Sequence, residues 1–123
     1  MAEKGTCCSS GSTTLIAACS GRSNVGQIAN QVVVEVDKMG SAKSFCLAGV
    51  GAGLSGFVES ARAGRVIIID GCPMACGKKV LEKYEVEPYR YFVITELGIK
   101  KEDAVTDLDA GIRLSLNQVL PNI

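Results

Sequence analysis

Short aliphatic runs alternate along this chain with segments in which apolar residues recur every three or four positions. The aliphatic runs predict buried strands, and the periodic segments predict helices with one apolar face. The predicted strands cover residues 15–18, 44–50, 66–69 and 90–95. The predicted helices cover residues 24–36, 54–61, 77–84 and 108–119. The chain therefore predicts four strands in alternation with four helices.

Several residues mark where these helices begin and end. Asn24 stands three residues before Gln27, which is the spacing of a capping box with asparagine as the N-cap. Gly40 and Gly64 are suited to helix termination. Pro73 fits the first turn of the third helix, where its missing N–H has no partner to lose.

Strands this apolar, in alternation with helices, predict a parallel sheet that is covered on both faces. We expect an α/β fold: a three-layer αβα sandwich with a mostly parallel sheet of about four strands, resembling half of a Rossmann-like or flavodoxin-like domain. Right-handed crossovers would place every strand exit at one edge. Residues 1–12 are small and polar and predict a flexible tail, and residues 13–123 predict a single domain.

Composition removes several classes of function. The 123 residues have no histidine, which excludes a Ser-His-Asp triad, a Cys-His dyad and any imidazole ligand. The formal net charge is zero, so neither a nucleic acid nor a membrane surface is an expected partner. There is no apolar run long enough to span a bilayer and no apolar stretch typical of a signal peptide, so we expect a cytoplasmic protein. Neither a protein partner nor a catalytic residue is predicted.

Cysteines carry the candidate chemistry, because they follow or approach the ends of the predicted strands. Cys19 follows the first strand, and Cys72 and Cys76 flank the predicted start of the third helix, with Cys72 expected at its cap. Cys46 falls inside the second predicted strand, so it reaches the others only if that strand ends early or the following loop folds back. Four thiolates can surround zinc when their sulfurs lie roughly 3.7 Å apart. The alternative is that each cysteine is a small buried hydrophobe.

The order and spacing of these motifs resemble a known family. Cys19-Ser20-Gly21, Phe45-Cys46-Leu47-Ala48-Gly49 and Asp70-Gly71-Cys72, with Cys76 after them, resemble the DGC-domain family of zinc-binding proteins, named after its central Asp-Gly-Cys motif. The resemblance covers about residues 15–97. It implies Zn²⁺ as the cofactor and Cys19, Cys46, Cys72 and Cys76 as its ligands, without an assigned activity. We expect Cys7 and Cys8 to remain unliganded.

Two alternatives stay open. Gly51, Gly53 and Gly56 match the G-x-G-x-x-G pattern of dinucleotide-binding loops, and Asp70 stands near the position of the acid that binds a ribose. In the predicted order of elements these glycines follow the second strand and open the second helix, as that alternative needs. Asp70 is also followed closely by Cys72, so the other interpretation is that it serves the cysteine site, for example by accepting backbone N–H bonds in the turn. The second alternative is a thiol-redox or iron–sulfur protein that uses the same cysteines.

Overall fold

A four-stranded, all-parallel sheet forms the centre of the protein. The computed structural model describes residues 13–105 and 107–123. The strands in chain order are β1 (Thr14–Ala18), β2 (Lys43–Ser44), β3 (Arg65–Asp70) and β4 (Arg90–Val93). In space they are ordered β2-β1-β3-β4. The chain thus leaves β1 toward one side for β2 and returns to the other side for β3, so the order reverses between β1 and β3.

Helices cover both faces of the sheet. They are α1 (Asn24–Lys38), α2 (Leu47–Gly51), α3 (Ser55–Ala63), α4 (Cys76–Lys83) and α5 (Asp109–Val119). Two 3₁₀ turns, Ile94–Leu97 and Leu120–Asn122, flank α5 in the chain. No helix in the described ranges has the length and apolarity needed to cross a membrane.

Alternate side chains of β3 supply two separate cores. Ile67 and Ile69 pack with α1 and α5, whereas Val66 and Ile68 pack with α2, α3 and α4. Because both faces of the strand are buried, its sequence is a continuous apolar run. The expected three-layer αβα sandwich is confirmed.

The prediction of a second strand over residues 44–50 is wrong for most of this range. β2 spans only Lys43–Ser44, and the apolar residues after Cys46 form helix α2. A Cβ atom at Gly49 would lie 2.6 Å from the ring of Phe57, so this glycine permits close packing of α2 on α3. Val50 is fully buried. A short apolar run does not distinguish a buried strand from a buried helical turn, and here tertiary packing selects the helix.

The predicted cap of α1 is wrong by one residue. Ser23, not Asn24, is the N-cap, and its hydroxyl accepts a hydrogen bond from the N–H of Gly26 at 3.4 Å. Asn24 instead bridges to a distant segment: its side chain donates to the carbonyl of Lys100 at 2.9 Å and accepts from the N–H of Glu102 at 2.6 Å. The side chain of Asn24 is thus used for a long-range contact, which sequence spacing does not reveal, and is not the cap of α1.

The edge strand β2 is held to α1 by one carboxylate. Asp37 accepts hydrogen bonds from the N–H of Ser44 at 2.9 Å and from the Ser44 hydroxyl. These two bonds hold the pKa of Asp37 below its usual value. The carboxylate form of Asp37 therefore favours the attachment of the edge strand.

We predict a pH-dependent loss of stability on replacing this carboxylate. Because the folded-state pKa of Asp37 is lowered, its contribution is fully present above its unfolded-state pKa of about 4 and is lost as pH falls through the lowered folded value. Urea unfolding of wild type and Asp37→Asn should therefore differ more at pH 7 than at pH 3. A difference that stays constant over this range would contradict the prediction.

We also predict opposite effects of alanine at two helical glycines. A Cβ at Gly26 would lie 2.5 Å from the carbonyl oxygen of Gly21, so Gly26→Ala should lower the free energy of unfolding by about 1–3 kcal/mol. A Cβ at Gly56, near the start of α3, meets nothing within 4 Å, so Gly56→Ala should be neutral or stabilising by up to about 1 kcal/mol. Urea unfolding of both variants measures the contrast.

Candidate functional site

The described cysteines all lie at the carboxyl edge of the sheet. Cys19 follows β1 directly, Cys46 follows β2 by two residues, Cys72 follows β3 by two residues, and Cys76 is the first residue of α4. Because β2 ends early, Cys46 is the N-cap of α2 rather than a residue inside a strand. Cys46 could reach the other cysteines only if the second predicted strand ended early, and the strand does end early. All four thiols are free of disulfides.

Glycines bring the loops after β1 and β3 into direct contact. A Cβ at Gly71 would lie 2.8 Å from the backbone nitrogen of Gly26, so the loop after β3 approaches the first turn of α1 too closely for a side chain. In this position the N–H of Gly71 donates to Sγ of Cys19 at 3.3 Å. The glycine of the Asp-Gly-Cys motif thus joins two segments that carry cysteines.

The aspartate of the motif holds the first turn of α4. Asp70 is buried, with 1% of its surface exposed, and its carboxylate accepts from the N–H groups of Gly77 at 2.7 Å and Lys78 at 3.1 Å. It also accepts from the hydroxyl of Tyr91 at 2.8 Å. The helix has no side-chain cap of its own, since its N-cap is Ala75. Asp70 therefore supplies from β3 the acceptor that a local cap would otherwise provide.

Pro73 and Cys72 do not occupy their predicted positions. Both precede α4, which begins at Cys76. Residues 71–74 instead form a turn, in which the N–H of Ala75 donates to the carbonyl of Cys72 at 3.1 Å. Ala75 then adopts a left-handed conformation with φ of 57°, which redirects the chain into the helix. Because Cys72 lies outside the helix, Cys72 and Cys76 do not lie on adjacent turns of one helix face.

The four cysteines line two cavities at this edge. The larger, of about 680 Å³, is lined by Cys19, Cys46 and Cys76, among other residues. The smaller, of about 270 Å³, is lined by Cys19, Cys72 and Cys76. Cys19 and Cys76 thus border both cavities, with Cys46 on one side and Cys72 on the other. The smaller cavity lies between the loops that follow β1 and β3, where the strand order reverses and parallel sheets commonly bind ligands.

Burial controls the protonation of Cys19. Partial burial raises the pKa of the Cys19 thiol, and the N–H groups of Gly21 and Gly71 oppose that shift because they donate hydrogen bonds to the sulfur. The nearby charges of Asp70 and Cys76 reinforce it. A metal ion at this sulfur would have to displace a bound proton.

Two polar side chains near the site were not predicted from sequence. Nζ of Lys101 donates to Sγ of Cys72 at 3.5 Å, and the Asn24 bridge to residues 100 and 102 holds the segment that carries this lysine. Burial is the largest cause that raises the pKa of Tyr91, and its hydrogen bond to Asp70 is the second. The hydroxyl of Tyr91 therefore remains a donor. Neither lies within a motif, and only the register of β4 on β3 and the path of the later chain place them here.

The cysteines do not form a ready-made coordination site. Within residues 13–105 and 107–123, no three side chains of Cys, His, Asp or Glu are grouped so that they could hold a metal ion as placed. The donor chemistry suits a soft or borderline metal, because the four side chains are thiols. Convergence of the sulfurs therefore requires side-chain or loop movement. Cys7 and Cys8 lie outside the described residues.

The dinucleotide-binding alternative lacks its required structural context. Gly51 ends helix α2, and the glycine segment connects α2 to α3 rather than a strand to a helix. Gly53 has φ of 74°, and a Cβ there would lie 2.8 Å from the hydroxyl of Tyr84, so its role is a tight turn between packed helices. The buried Asp70 is engaged by three donors of the chain itself. The expectation that Asp70 accepts backbone N–H bonds at the cysteine site is confirmed.

We predict that Asp70→Asn loosens the start of α4. The asparagine side chain would turn an N–H₂ group toward at least one of the three donors, so the free energy of unfolding should fall by about 1–3 kcal/mol. Amide hydrogen exchange at Gly77 and Lys78 should accelerate more than exchange in β1. As a control, Asp103→Asn removes only an exposed pairing with Arg22 at 3.5 Å and should change stability by less than about 0.5 kcal/mol. Equal effects of the two substitutions would contradict the assigned role of Asp70.

Comparison with known proteins identifies the family. The family model described as "DGC domain" matches residues 15–117. A curated relative, "Anaerobic and virulence modulator AnvM" from Pseudomonas aeruginosa, is 43% identical over 88 residues, which cover 71% of this chain and 67% of the relative. No solved structure matches the chain. Since the family match spans all four cysteines of the carboxyl edge, together with most of the sheet, this chain belongs to the DGC domain family.

Proposed function

We propose that this protein binds Zn²⁺ through the thiolates of Cys19, Cys46, Cys72 and Cys76. The observation that carries the proposal is the placement of these cysteines: four separate positions of the chain bring thiols to one edge of the sheet, with Cys19 and Cys76 bordering both cavities there. We place this chemistry in the cytoplasm, whose reducing conditions keep such thiols available.

The surroundings of the thiols favour metal binding over simple burial. Cys46 and Cys76 are exposed, and Cys19 and Cys72 are half-buried, whereas cysteines that act as core hydrophobes are fully buried. The N–H of Gly71 already donates to Sγ of Cys19, and such a hydrogen bond stabilises a metal-bound thiolate. Nζ of Lys101, near Sγ of Cys72, offsets part of the negative charge that four thiolates would accumulate around a divalent ion.

In this proposal Cys76 is held in a fixed position, whereas Cys46 and Cys72 adjust to the metal. The Asp70 carboxylate fixes the backbone at the start of α4, so Cys76 occupies a defined position beside the loop of Cys19. Cys46 and Cys72 lie on either side of this pair and approach it by side-chain rotation and small loop shifts. Four thiolates leave no open coordination position, so bound zinc would strengthen the folded state and join four segments of the edge.

Metal content tests this proposal. Reduced wild-type protein, loaded with Zn²⁺ and freed of excess metal, should retain one ion, measured by native mass spectrometry and elemental analysis. Cys19→Ser, Cys72→Ser and Cys76→Ser should each lower the affinity by at least tenfold, because a neutral hydroxyl is a poor zinc ligand, and Cys46→Ser should do the same. Cys7→Ser and Cys8→Ser are the matched controls and should retain the ion. Circular dichroism shows whether each variant is folded.

The outcomes separate the alternatives clearly. Retention of one ion by folded Cys72→Ser and Cys76→Ser would overturn the four-thiolate proposal. Iron and acid-labile sulfide, instead of zinc, in protein purified without oxygen would assign the same cysteines to an iron–sulfur cluster.

A further inference from the structure

The larger of the two cavities at the carboxyl edge has features that thiolate coordination does not explain. Its volume is about 680 Å³, within the range of small-molecule binding sites. Its wall combines the exits of β1 and β2 with one side of α1, helix α2 and the first half of α4. A metal held by four sulfurs would occupy only a small part of this space.

None of the described residues that line this cavity has a charged side chain. The larger apolar side chains that line it are Val33 and Val34 of α1, Phe45 and Leu47 around Cys46, and Val80 of α4. Among residues 13–105 and 107–123, no Asp, Glu, Lys or Arg lines it, although 26 of the 123 residues of the chain are of these types, 13 basic and 13 acidic. A charged organic molecule entering this cavity would lose hydration without gaining an ion pair with a described Asp, Glu, Lys or Arg side chain, whereas a neutral apolar molecule would gain from burial.

The polar groups in the wall are partly satisfied by one another. The hydroxyl of Ser20 donates to Oδ1 of Asn30 at 3.0 Å, across the gap between the loop after β1 and helix α1. Filling the cavity with an apolar molecule would therefore leave this pair hydrogen-bonded. The remaining polar atoms in the wall include the thiols of Cys19, Cys46 and Cys76, and thiols are only weakly polar.

We propose that the 680 Å³ cavity binds an uncharged, mostly apolar small organic molecule, which packs between α1 and α2 and covers the thiol of Cys46. This site shares Cys19, Cys46 and Cys76 with the proposed zinc site, but binding of the organic molecule depends on the apolar wall and does not require the metal. A ligand in this position would control access to Cys46 and Cys76 from solvent.

Two dyes that differ only in one charged group test the selectivity of the cavity. N-phenyl-1-naphthylamine is neutral, and 1-anilinonaphthalene-8-sulfonate is the same molecule with a sulfonate. Because the chain has no tryptophan, dye emission can be followed without energy transfer from the protein's own indoles. Reduced, chelator-treated protein should bind the neutral dye at least tenfold more tightly than the anionic one.

Two matched substitutions locate the binding site. Ala48 is exposed on α2 and lines this cavity, so Ala48→Phe should fill it and weaken binding of the neutral dye by at least tenfold. Ser60 is exposed on α3 and lines a neighbouring cavity of about 590 Å³, which also borders Cys46. Ser60→Phe should leave binding unchanged. The reverse pattern, with loss in Ser60→Phe only, would overturn the assignment.

Protection of the thiols gives a second measurement that does not depend on dye emission. Saturating neutral dye should slow alkylation of Cys46 by iodoacetamide at least fivefold, followed by peptide mass spectrometry. Cys72 does not line the larger cavity and should react at an unchanged rate, which makes it the internal control. Absence of dye binding, stronger binding of the anionic dye, or equal protection of both cysteines would overturn the proposal. Because this experiment uses chelated protein, its result is independent of whether zinc binds.

Discussion

The site depends on the close approach of two loops that leave neighbouring strands. Gly71 lies against the first turn of α1 with no room for a side chain, and Gly26 lies equally close to Gly21 within the loop after β1. These contacts set the distance between the segments that carry Cys19 and Cys72. A side chain at Gly71 would push the loop after β3 away from α1, and a side chain at Gly26 would push the loop after β1 away from the same helix.

The Asp-Gly-Cys motif combines three separate physical requirements in consecutive residues. Asp70 satisfies the orphan N–H groups of a helix that lacks a local cap, Gly71 allows the close approach, and Cys72 presents a thiol at the edge that the other two have defined. The motif is therefore a structural unit as well as a chemical one. Its aspartate acts on Cys76 only indirectly, through the backbone of α4.

The sequence was sufficient to predict the layers of the fold because periodicity reports burial directly. The β3 run of four aliphatic residues and the stripe of α1 each had one consistent interpretation. The segment after Cys46 did not, since a five-residue apolar stretch fits a strand or a helical turn, and packing of Gly49 on Phe57 decided between them. The positions of the cysteines at one edge followed from topology. The cap at Asp70, the lysine beside Cys72 and the uncharged cavity depend on contacts between residues far apart in sequence, which local patterns do not encode.

The shortness of β2 has a consequence for the dynamics of the edge. Few described hydrogen bonds hold the segment that precedes Cys46. The strand pairs over two residues, the N–H of Phe45 donates to the carbonyl of Ile16, and Ser44 donates to Asp37. By contrast, β3 pairs with β1 along five residues. Opening of the segment around Cys46 therefore exposes few backbone hydrogen bonds and costs much less than global unfolding. Local opening at this corner therefore moves the thiol of Cys46 while the rest of the sheet stays intact.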